Sequence, residues 1–263
     1  MADNQRDLHY INNFQPNNEV KTIRVLLYGP VGSGKSSLIN SISSILRGRM
    51  TTPALACDLC IGSFYTAKYE THRIHKGRGN FYPFVFTDTR GLEKGDQNGV
   101  SADDIKLALM GHVKEGYKFN PVSPLSGGDP GYNSAPSIDD RVHVLVCVYS
   151  ALSTGMRPSI LQKMRIIREA ASDLGIPQLA VLTNIDSACG EIDKSLRNVY
   201  RSKYLKKKMR DFSSSLGIPM NGIVPVKNYS HEIQLNPDVD TLILNALRLM
   251  IDFGDDFADK LRT

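Results

Sequence analysis

The residues best suited to chemistry form a glycine-rich run near the start of the chain, GPVGSGKS from Gly29 to Ser36. This run matches the pattern G-x-x-x-x-G-K-[S/T] without a mismatch, and it lies between an apolar run and an amphipathic helical pattern. Glycines at these positions let backbone N–H groups surround phosphates, aided by the N-terminus of the following helix. Lys35 is predicted to contact the β- and γ-phosphates, and Ser36 to supply a hydroxyl ligand to Mg²⁺. The alternative, a chance glycine-rich turn, is disfavoured because motif and context agree.

A second candidate is Asp88, which closes the apolar run of FVFTDTRG, residues 84–91. A carboxylate at the end of a strand can hold Mg²⁺ directly or through water. Gly91 leaves room for its own N–H to approach a γ-phosphate. The pattern D-x-x-G alone matches many surface turns, but its position at the end of a strand, after a predicted hairpin and well beyond Lys35, strengthens it.

A third candidate is the run TNID, from Thr183 to Asp186. It is similar to the base-reading pattern [N/T]-K-x-D of GTP-binding proteins, in which the Asp accepts hydrogen bonds from guanine N1 and N2. Adenine has no equivalent pair of donors, so Asp186 is predicted to select the base. Asn184 stands where that pattern has Lys, which predicts a looser base pocket. The alternative is a turn Asp at the end of a strand.

These motifs give a set of predicted ligands. After the last predicted strand, the run VKN is expected to offer backbone N–H groups to guanine O6. The predicted nucleotide-binding residues are Gly29, Val31, Gly32, Ser33, Gly34, Lys35, Ser36, Ser37, Gly91, Thr183, Asn184, Asp186, Lys227 and Asn228. The predicted metal ligands are Ser36, Thr52 and Asp88.

The sequence evidence for residues that hydrolyse GTP is weaker than that for residues that bind it. Many GTPases carry a water-orienting Gln directly after D-x-x-G, and here that residue is Leu92. Arg49 is a candidate catalytic residue in addition to Lys35, because it lies three residues before Thr52. In heterotrimeric G-protein α subunits, an arginine at the same spacing before the Mg²⁺-binding threonine acts in catalysis. The alternative is an exposed loop arginine. Val31, at a position that is glycine in Ras-like proteins, is expected to obstruct an arginine supplied by a partner. We therefore predict slow hydrolysis, or hydrolysis that depends on self-association or a partner.

The elements that must position these residues alternate between strands and helices. Apolar runs at 22–28, 142–149, 178–183 and 223–226 predict strands, and runs at 64–74 and 81–87 a hairpin. Helical patterns cover 36–46, 102–112, 160–174 and 196–216, and Asn236 and Pro237 open a last long helix. This alternation predicts an α/β fold, a doubly wound, mostly parallel sheet flanked by helices. Residues 1–20 are predicted to be a flexible arm, 21–263 a single domain, and 116–140 a loop insertion.

Composition excludes several classes. The chain has 263 residues, 41% hydrophobic and 22% charged, which is typical of a globular protein. Four cysteines do not make a disulfide scaffold. The beginning of the chain lacks a signal core, and no apolar run is long enough to cross a bilayer, so a soluble cytoplasmic protein is expected. The net charge of +5 does not identify a nucleic-acid binder.

The order of the motifs resembles the TRAFAC-type GTPase domain, and a closer resemblance is to the interferon-induced protein 44 family and its 44-like members. The residues that carry it are GPVGSGKSS, DTRGLE, DDRVHVLVCVYS, LGIP, VKNYS and LNPDVDTLILNALRLM. This resemblance implies a P-loop NTPase with a Ras-like G domain that binds GTP or GDP and Mg²⁺. It also implies a cytoplasmic, interferon-inducible protein linked to the antiviral response and growth control.

Three functions stay open at this point. The first is a Mg²⁺-dependent GTPase switch, acting as an oligomer or with a protein partner. The second is a pseudo-GTPase scaffold, favoured by Leu92 and Asn184. The third is an ABC-type ATPase, because LSGG at 125–128 imitates the signature of those enzymes. Two secondary features are also open to two interpretations. The basic helix at 197–210 could meet a membrane or nucleic acid, or it could be the solvated face of an ordinary helix. The C-x-x-C pair at Cys57 and Cys60 could be part of a zinc site, or simply two loop cysteines.

Overall fold

A computed structural model describes residues 2–16, 19–54, 68–77, 79–89, 91–92, 100–120 and 123–261. Six strands form one sheet in the order β2-β3-β1-β4-β5-β6. The strands are β1 (Ile23–Tyr28), β2 (Glu70–Gly77), β3 (Asn80–Asp88), β4 (Val144–Ser150), β5 (Gln178–Thr183) and β6 (Ile223–Pro225). The helices are α1 (Ala2–Asn13), α2 (Lys35–Arg47), α3 (Ala102–Leu109), α4 (Pro158–Asp173), α5 (Ile185–Ala188), α6 (Gly190–Lys194), α7 (Lys203–Leu216) and α8 (Pro237–Lys260).

The centre of the sheet is parallel and apolar. β1 pairs in parallel with both β3 and β4, and β4 is buried at every position. Among the six strands of the described sheet only β2, at one edge, runs antiparallel, and its neighbour is β3. Strands buried on both faces need continuous apolar runs, which is why β4 has the sequence VLVCVYS. The helices form two groups around this sheet: α8 packs on β1 and β4 and contacts α1 and α2, whereas α4 contacts α3 and α7. The predicted doubly wound fold is therefore confirmed.

The parallel arrangement decides where a site can form. The carboxyl ends of β1, β3, β5 and β6 lie at one edge of the sheet, and each strand is followed by a segment with a predicted motif. In doubly wound folds ligands bind outside the carboxyl ends of the strands. The topology therefore gathers the four motif segments at one edge.

The N-terminal residues differ from the expected flexible arm. Residues 2–13 form α1, which packs on α8 with Ile11 fully buried and Phe14 nearly so just beyond the helix. Asp7 is almost fully buried and accepts a 2.7 Å hydrogen bond from Arg248 of α8. These contacts lie more than 230 residues apart in sequence, so local periodicity gives no sign of them.

The basic segment 196–216 also differs from prediction, because it is two helices rather than one. A 3₁₀ helix, Leu196–Arg201, ends at Ser202, whose hydroxyl accepts a hydrogen bond from Leu205 N and caps α7. α7 buries Leu205 and Phe212 and exposes most of its lysines. This is the ordinary arrangement of an amphipathic surface helix, and contact with a membrane or nucleic acid stays a prediction.

The described part of 116–140 contains a 3₁₀ turn, Ile138–Asp140, and otherwise lacks helix and strand. It is nonetheless packed, since Phe119 and Leu125 are buried. The carboxylate of Asp104 in α3 accepts a 2.8 Å hydrogen bond from Leu125 N. Ser101 caps α3 as expected, but Asp104 therefore binds this loop instead of completing a capping box.

Candidate nucleotide-binding site

The glycine-rich loop between β1 and α2 has a backbone that only glycine adopts easily. Gly29 has φ of +146° and Gly34 has φ of +91°. A Cβ on Gly29 would overlap the carbonyl oxygen of Val148 in β4, and one on Gly34 would lie 2.9 Å from Nδ2 of Asn228. Gly32, with φ of +73°, faces open space. The loop is therefore pressed against the sheet at its two ends and open at its centre.

Two other strands hold this loop in place. The hydroxyl of Thr183, at the end of β5, donates a 2.7 Å hydrogen bond to the carbonyl of Ser33. The amide of Asn228, after β6, donates a 3.1 Å hydrogen bond to the carbonyl of Gly34. Both side chains are buried. The residues predicted to contact the base thus also fix the loop predicted to contact the phosphates.

Lys35 begins α2 and is buried beneath the loop. Its ammonium lies 3.0 Å from the carbonyl oxygen of Pro30 and 3.4 Å from that of Gly29. Burial lowers the pKa of Lys35, although the nearby carboxylate of Asp88 acts in the opposite direction. The ammonium is therefore held by backbone carbonyls of its own loop.

Ser36 and Asp88 form a pair of oxygen donors beside Lys35. The Ser36 hydroxyl donates a 2.6 Å hydrogen bond to Oδ2 of Asp88. The other carboxylate oxygen, Oδ1, is buried and has no hydrogen-bond partner among the described residues. Burial raises the pKa of Asp88, while Lys35 and the Ser36 hydrogen bond lower it. Since Mg²⁺ prefers oxygen ligands, an orphaned carboxylate oxygen next to a hydroxyl fits this ion.

The segment that follows Asp88 lies along the phosphate loop. Leu92 N donates a 2.9 Å hydrogen bond to the carbonyl of Gly29, and a Cβ on Gly91 would overlap the backbone of Val31. Leu92 is buried, whereas Val31 is 58% exposed. The side chain at the position after D-x-x-G is thus turned into the protein. Arg90 and residues 93–99 lie outside the described residues.

The base-reading residues follow β5 and β6. Asp186 lies in the first turn of α5, half-buried, with Oδ2 3.3 Å from the ammonium of Lys227. Asn184 takes a left-handed conformation, φ +53°, and its amide donates a 2.9 Å hydrogen bond to the hydroxyl of Ser150. The TNID and VKN segments therefore meet side by side, because β5 and β6 are adjacent and parallel.

Two predicted residues are not brought to this group. Arg49 is exposed beyond the C-terminus of α2, about 20 Å along that helix from Lys35. Thr52 is exposed, and the residues around it are held further along α2 than Ser36: Thr51 is hydrogen-bonded to Ser43, and Ala54 to Asn40. Ser37 lies half-exposed on α2 next to Ser36. In this conformation neither Arg49 nor Thr52 joins Ser36 and Asp88.

Sequence reasoning missed Glu232. Its carboxylate lies 3.1 Å from the ammonium of Lys227, so Asp186, Lys227 and Glu232 form a chain of charges. No motif marks an acidic residue at this place in a loop. The signal is available only once the loop after β6 has folded back on itself.

The LSGG run does not have the structure that its ABC-type interpretation requires. Ser126 N and the Ser126 hydroxyl both donate to the carboxylate of Asp129, which makes a local turn rather than the start of a helix. Leu125 is buried against α3. The C-x-x-C pair, Cys57 and Cys60, lies outside the described residues.

Comparison with solved structures agrees with this fold. Toc33 from Arabidopsis thaliana, as a dimerization-deficient mutant, matches with a TM-score of 0.55 at 16% identity, covering 96% of this chain and 92% of that one. Toc33 in complex with GDP and Mg²⁺ matches with a TM-score of 0.51 at 15% identity, over 96% and 90%. Likeness at this identity concerns the fold alone. The chain thus has the predicted fold, a mostly parallel sheet flanked by helices of the P-loop NTPase kind.

Sequence comparison identifies the family. Human interferon-induced protein 44 is 35% identical over 244 residues, which are 92% of this chain and 54% of that protein. Human interferon-induced protein 44-like is 34% identical over 247 residues, with the same coverage. Over this region the chain belongs to the interferon-induced protein 44 family, which confirms the resemblance found in its motifs. It spans about half the length of the relatives it matches.

No protein-family profile matches the chain. Among the helices that the structure describes, none combines the length and the apolar character needed to cross a membrane.

Proposed function

We propose that this chain binds guanine nucleotide together with Mg²⁺ at the carboxyl edge of its sheet. The observation that carries the proposal is the pair formed by Ser36 and Asp88, 2.6 Å apart, with one buried carboxylate oxygen left without a partner among the described residues. A buried acceptor without a partner costs free energy, which a bound cation would recover. The loop from Gly29 supplies backbone N–H groups beside this pair for a phosphate chain.

Each residue of the site has a separate role in this proposal. Ser36 and Asp88 hold Mg²⁺, which when bound neutralises charge on the phosphates. Lys35 provides a buried positive charge close to the loop. Its ammonium donates hydrogen bonds to the carbonyl oxygens of Gly29 and Pro30. When nucleotide binds, a charged phosphate oxygen would replace one of these neutral acceptors.

Base selection is assigned to Asp186. A carboxylate accepts two hydrogen bonds in parallel, which guanine N1 and N2 donate and adenine does not. Lys227 contacts this carboxylate, whereas Thr183 and Asn228 fix the neighbouring phosphate loop. The amide of Asn184 is bound to Ser150 at the end of β4. We expect GDP and GTP to bind more tightly than ADP and ATP.

Hydrolysis is proposed to be slow or to depend on a second molecule. Leu92 replaces the water-orienting residue and is buried, so it offers no group to a nucleophilic water. Arg49 is too far along α2 to act unless the segment that follows α2 moves or another molecule supplies a charge. The dimerization named for the mutant of Toc33 supports a homo-oligomer as a source of the missing group. Rapid turnover by a monomer in a phosphate-release assay would contradict this proposal.

The second candidate function is an interaction scaffold that holds nucleotide weakly or not at all. A specific observation favours it: several site groups already have protein partners. Leu92 N binds Gly29, the Lys35 ammonium binds Pro30, and Asp186 pairs with Lys227. A ligand has to displace or share these contacts.

Titration calorimetry on matched variants separates the two functions. Wild type is expected to bind GDP more tightly with Mg²⁺ than with EDTA. Asp88→Asn is expected to lose that Mg²⁺ dependence, and Lys35→Ala to lose most of the affinity. Asp173→Asn and Lys206→Ala, which change exposed residues of α4 and α7, serve as controls and should bind as wild type does. Absence of binding to wild type would favour the scaffold.

A cellular role follows only from the family. The relatives are named interferon-induced, and we extend to this chain a cytoplasmic role in innate antiviral defence. Induction of its transcript by interferon is the measurement that checks this extension. An unchanged transcript after treatment would contradict it.

A further inference from the structure

The base-reading segment lacks the lysine that its pattern normally has. Asn184 occupies that position, and its short amide is bound to the hydroxyl of Ser150 at the end of β4. Its backbone is left-handed, which Asn tolerates better than most residues. The side chain at this position therefore contacts the sheet, and leaves no cation from this segment beside Asp186.

A cation comes instead from another segment. The ammonium of Lys227, two residues after β6, lies 3.3 Å from Oδ2 of Asp186. β5 and β6 are adjacent and parallel, so the segments after their carboxyl ends are neighbours. Both side chains are largely buried, with 23% of Lys227 and 17% of Asp186 exposed. An ion pair at this depth is screened less by solvent than one at the surface.

Glu232 fixes Lys227 from the opposite side. One oxygen of Glu232 lies 3.1 Å from the ammonium, and the other accepts hydrogen bonds from the backbone N–H groups of Ser230 and His231. Burial alone would raise the pKa of Glu232, but hydrogen bonds from the backbone of Ser230 and of Glu232 itself, together with Lys227, lower it to about 2. Burial likewise opposes the charge on Lys227, yet Glu232 and Asp186 raise its pKa. Glu232 and Lys227 therefore stay charged at neutral pH.

We infer that Lys227 is a positioning residue for guanine recognition, which supplies from the loop after β6 the cation that Asn184 does not. The inference rests on the proposed function, and it assigns the side chain of Lys227 a role beyond its backbone N–H. A carboxylate has about four acceptor positions, and Lys227 occupies one of them. The ion pair fixes the rotamer of Asp186 and leaves acceptors for the two donors of guanine.

The test compares three nucleotides on three variants. GDP offers Asp186 two donors, inosine diphosphate lacks the exocyclic amino group and offers one, and ADP offers no equivalent pair. Lys227→Met keeps the length of the side chain without its charge, Lys227→Arg keeps the charge, and Lys206→Met removes an exposed lysine of α7 as control. Affinities are measured by titration calorimetry in the presence of Mg²⁺.

We expect Lys227→Met to weaken the binding of GDP about tenfold, which equals about 1.4 kcal/mol, and to leave the affinity for ADP unchanged. The ratio of GDP to inosine diphosphate affinity should fall towards one, because a mobile carboxylate no longer accepts both hydrogen bonds well. Lys227→Arg should keep this ratio close to that of wild type. Lys206→Met should have the same affinities as wild type.

The outcomes separate the inference from the proposed function. Wild type that binds no nucleotide overturns both. Wild type that selects GDP, with Lys227→Met retaining the same ratio of GDP to inosine diphosphate affinity, overturns the inference alone. An equal loss for all three nucleotides would also overturn it, since that pattern indicates a general structural role.

Discussion

Thr183 belongs by sequence to the base-reading motif, but its hydroxyl holds the phosphate loop, and replacing it with valine tests that assignment. Thr183→Val keeps the shape of a fully buried side chain and removes the 2.7 Å hydrogen bond to the carbonyl of Ser33. The same hydroxyl lies 3.3 Å from the carbonyl of Tyr149, and since it has one hydrogen, the shorter contact is the one lost.

The magnitude follows from the environment of this hydrogen bond. Removing the donor leaves a carbonyl at Ser33 without its partner in a buried place, which costs about 1–3 kcal/mol. For a chain of this length, about 2 kcal/mol lowers the melting temperature by about 4–8 °C. Because Asn228 still holds Gly34, the loop is loosened rather than released. We expect GDP affinity to fall about tenfold.

The assays are thermal or urea unfolding without nucleotide, and titration calorimetry with GDP and inosine diphosphate. Thr183→Ser keeps the hydroxyl and serves as the matched control, with nucleotide affinity close to wild type. Since the loop binds phosphates, the ratio of GDP to inosine diphosphate affinity should not change in Thr183→Val. A changed ratio with unchanged stability would refute the reasoning, because Thr183 would then act on the base.

Three other predictions concern stability. Gly29→Ala should lower the free energy of unfolding by about 3 kcal/mol or more in urea titrations, because its Cβ overlaps the Val148 carbonyl, whereas Gly32→Ala, facing open space, should cost about 1 kcal/mol; equal costs would contradict this. Burial lowers the pKa of His143 from 6.5 to about 4, so the unfolded chain binds its proton first and stability should fall by about 2 kcal/mol from pH 7 to pH 5. His143→Asn should not show this loss of stability between pH 7 and pH 5. A variant whose stability depends on pH as that of wild type does would contradict the prediction. Deleting α1 should lower the urea midpoint, since it exposes apolar surface of α8; a midpoint equal to wild type would contradict its docking.

The parts of the fold that were predictable depend on local signals. The glycine-rich run, the apolar β4 and the cap formed by Asn236 and Pro237 are each recognisable within a few residues, and each has the expected structure. Their order along the chain then gives the doubly wound topology, because parallel strands need crossover helices. The neighbouring positions of Asp186 and Lys227 follow from that topology.

The parts that were not predictable depend on distant partners. α1 is held in place because it packs on α8, at the other end of the chain, and Asp7 accepts a hydrogen bond from Arg248 there. The break at Ser202 depends on its hydroxyl, which caps α7 in the middle of one continuous basic pattern. Glu232 and the double role of Thr183 arise from loops that meet only in the folded chain.

The measurement that tests the central claim most directly is equilibrium binding of GDP, GTP and ATP to the wild-type chain, with Mg²⁺ and with EDTA, by titration calorimetry. The arrangement of Ser36, Asp88 and Asp186 predicts that GDP and GTP bind, that Mg²⁺ tightens their binding, and that ATP binds far more weakly. Equal affinity for ATP would contradict the role of Asp186, and no binding of any nucleotide would contradict the site as a whole.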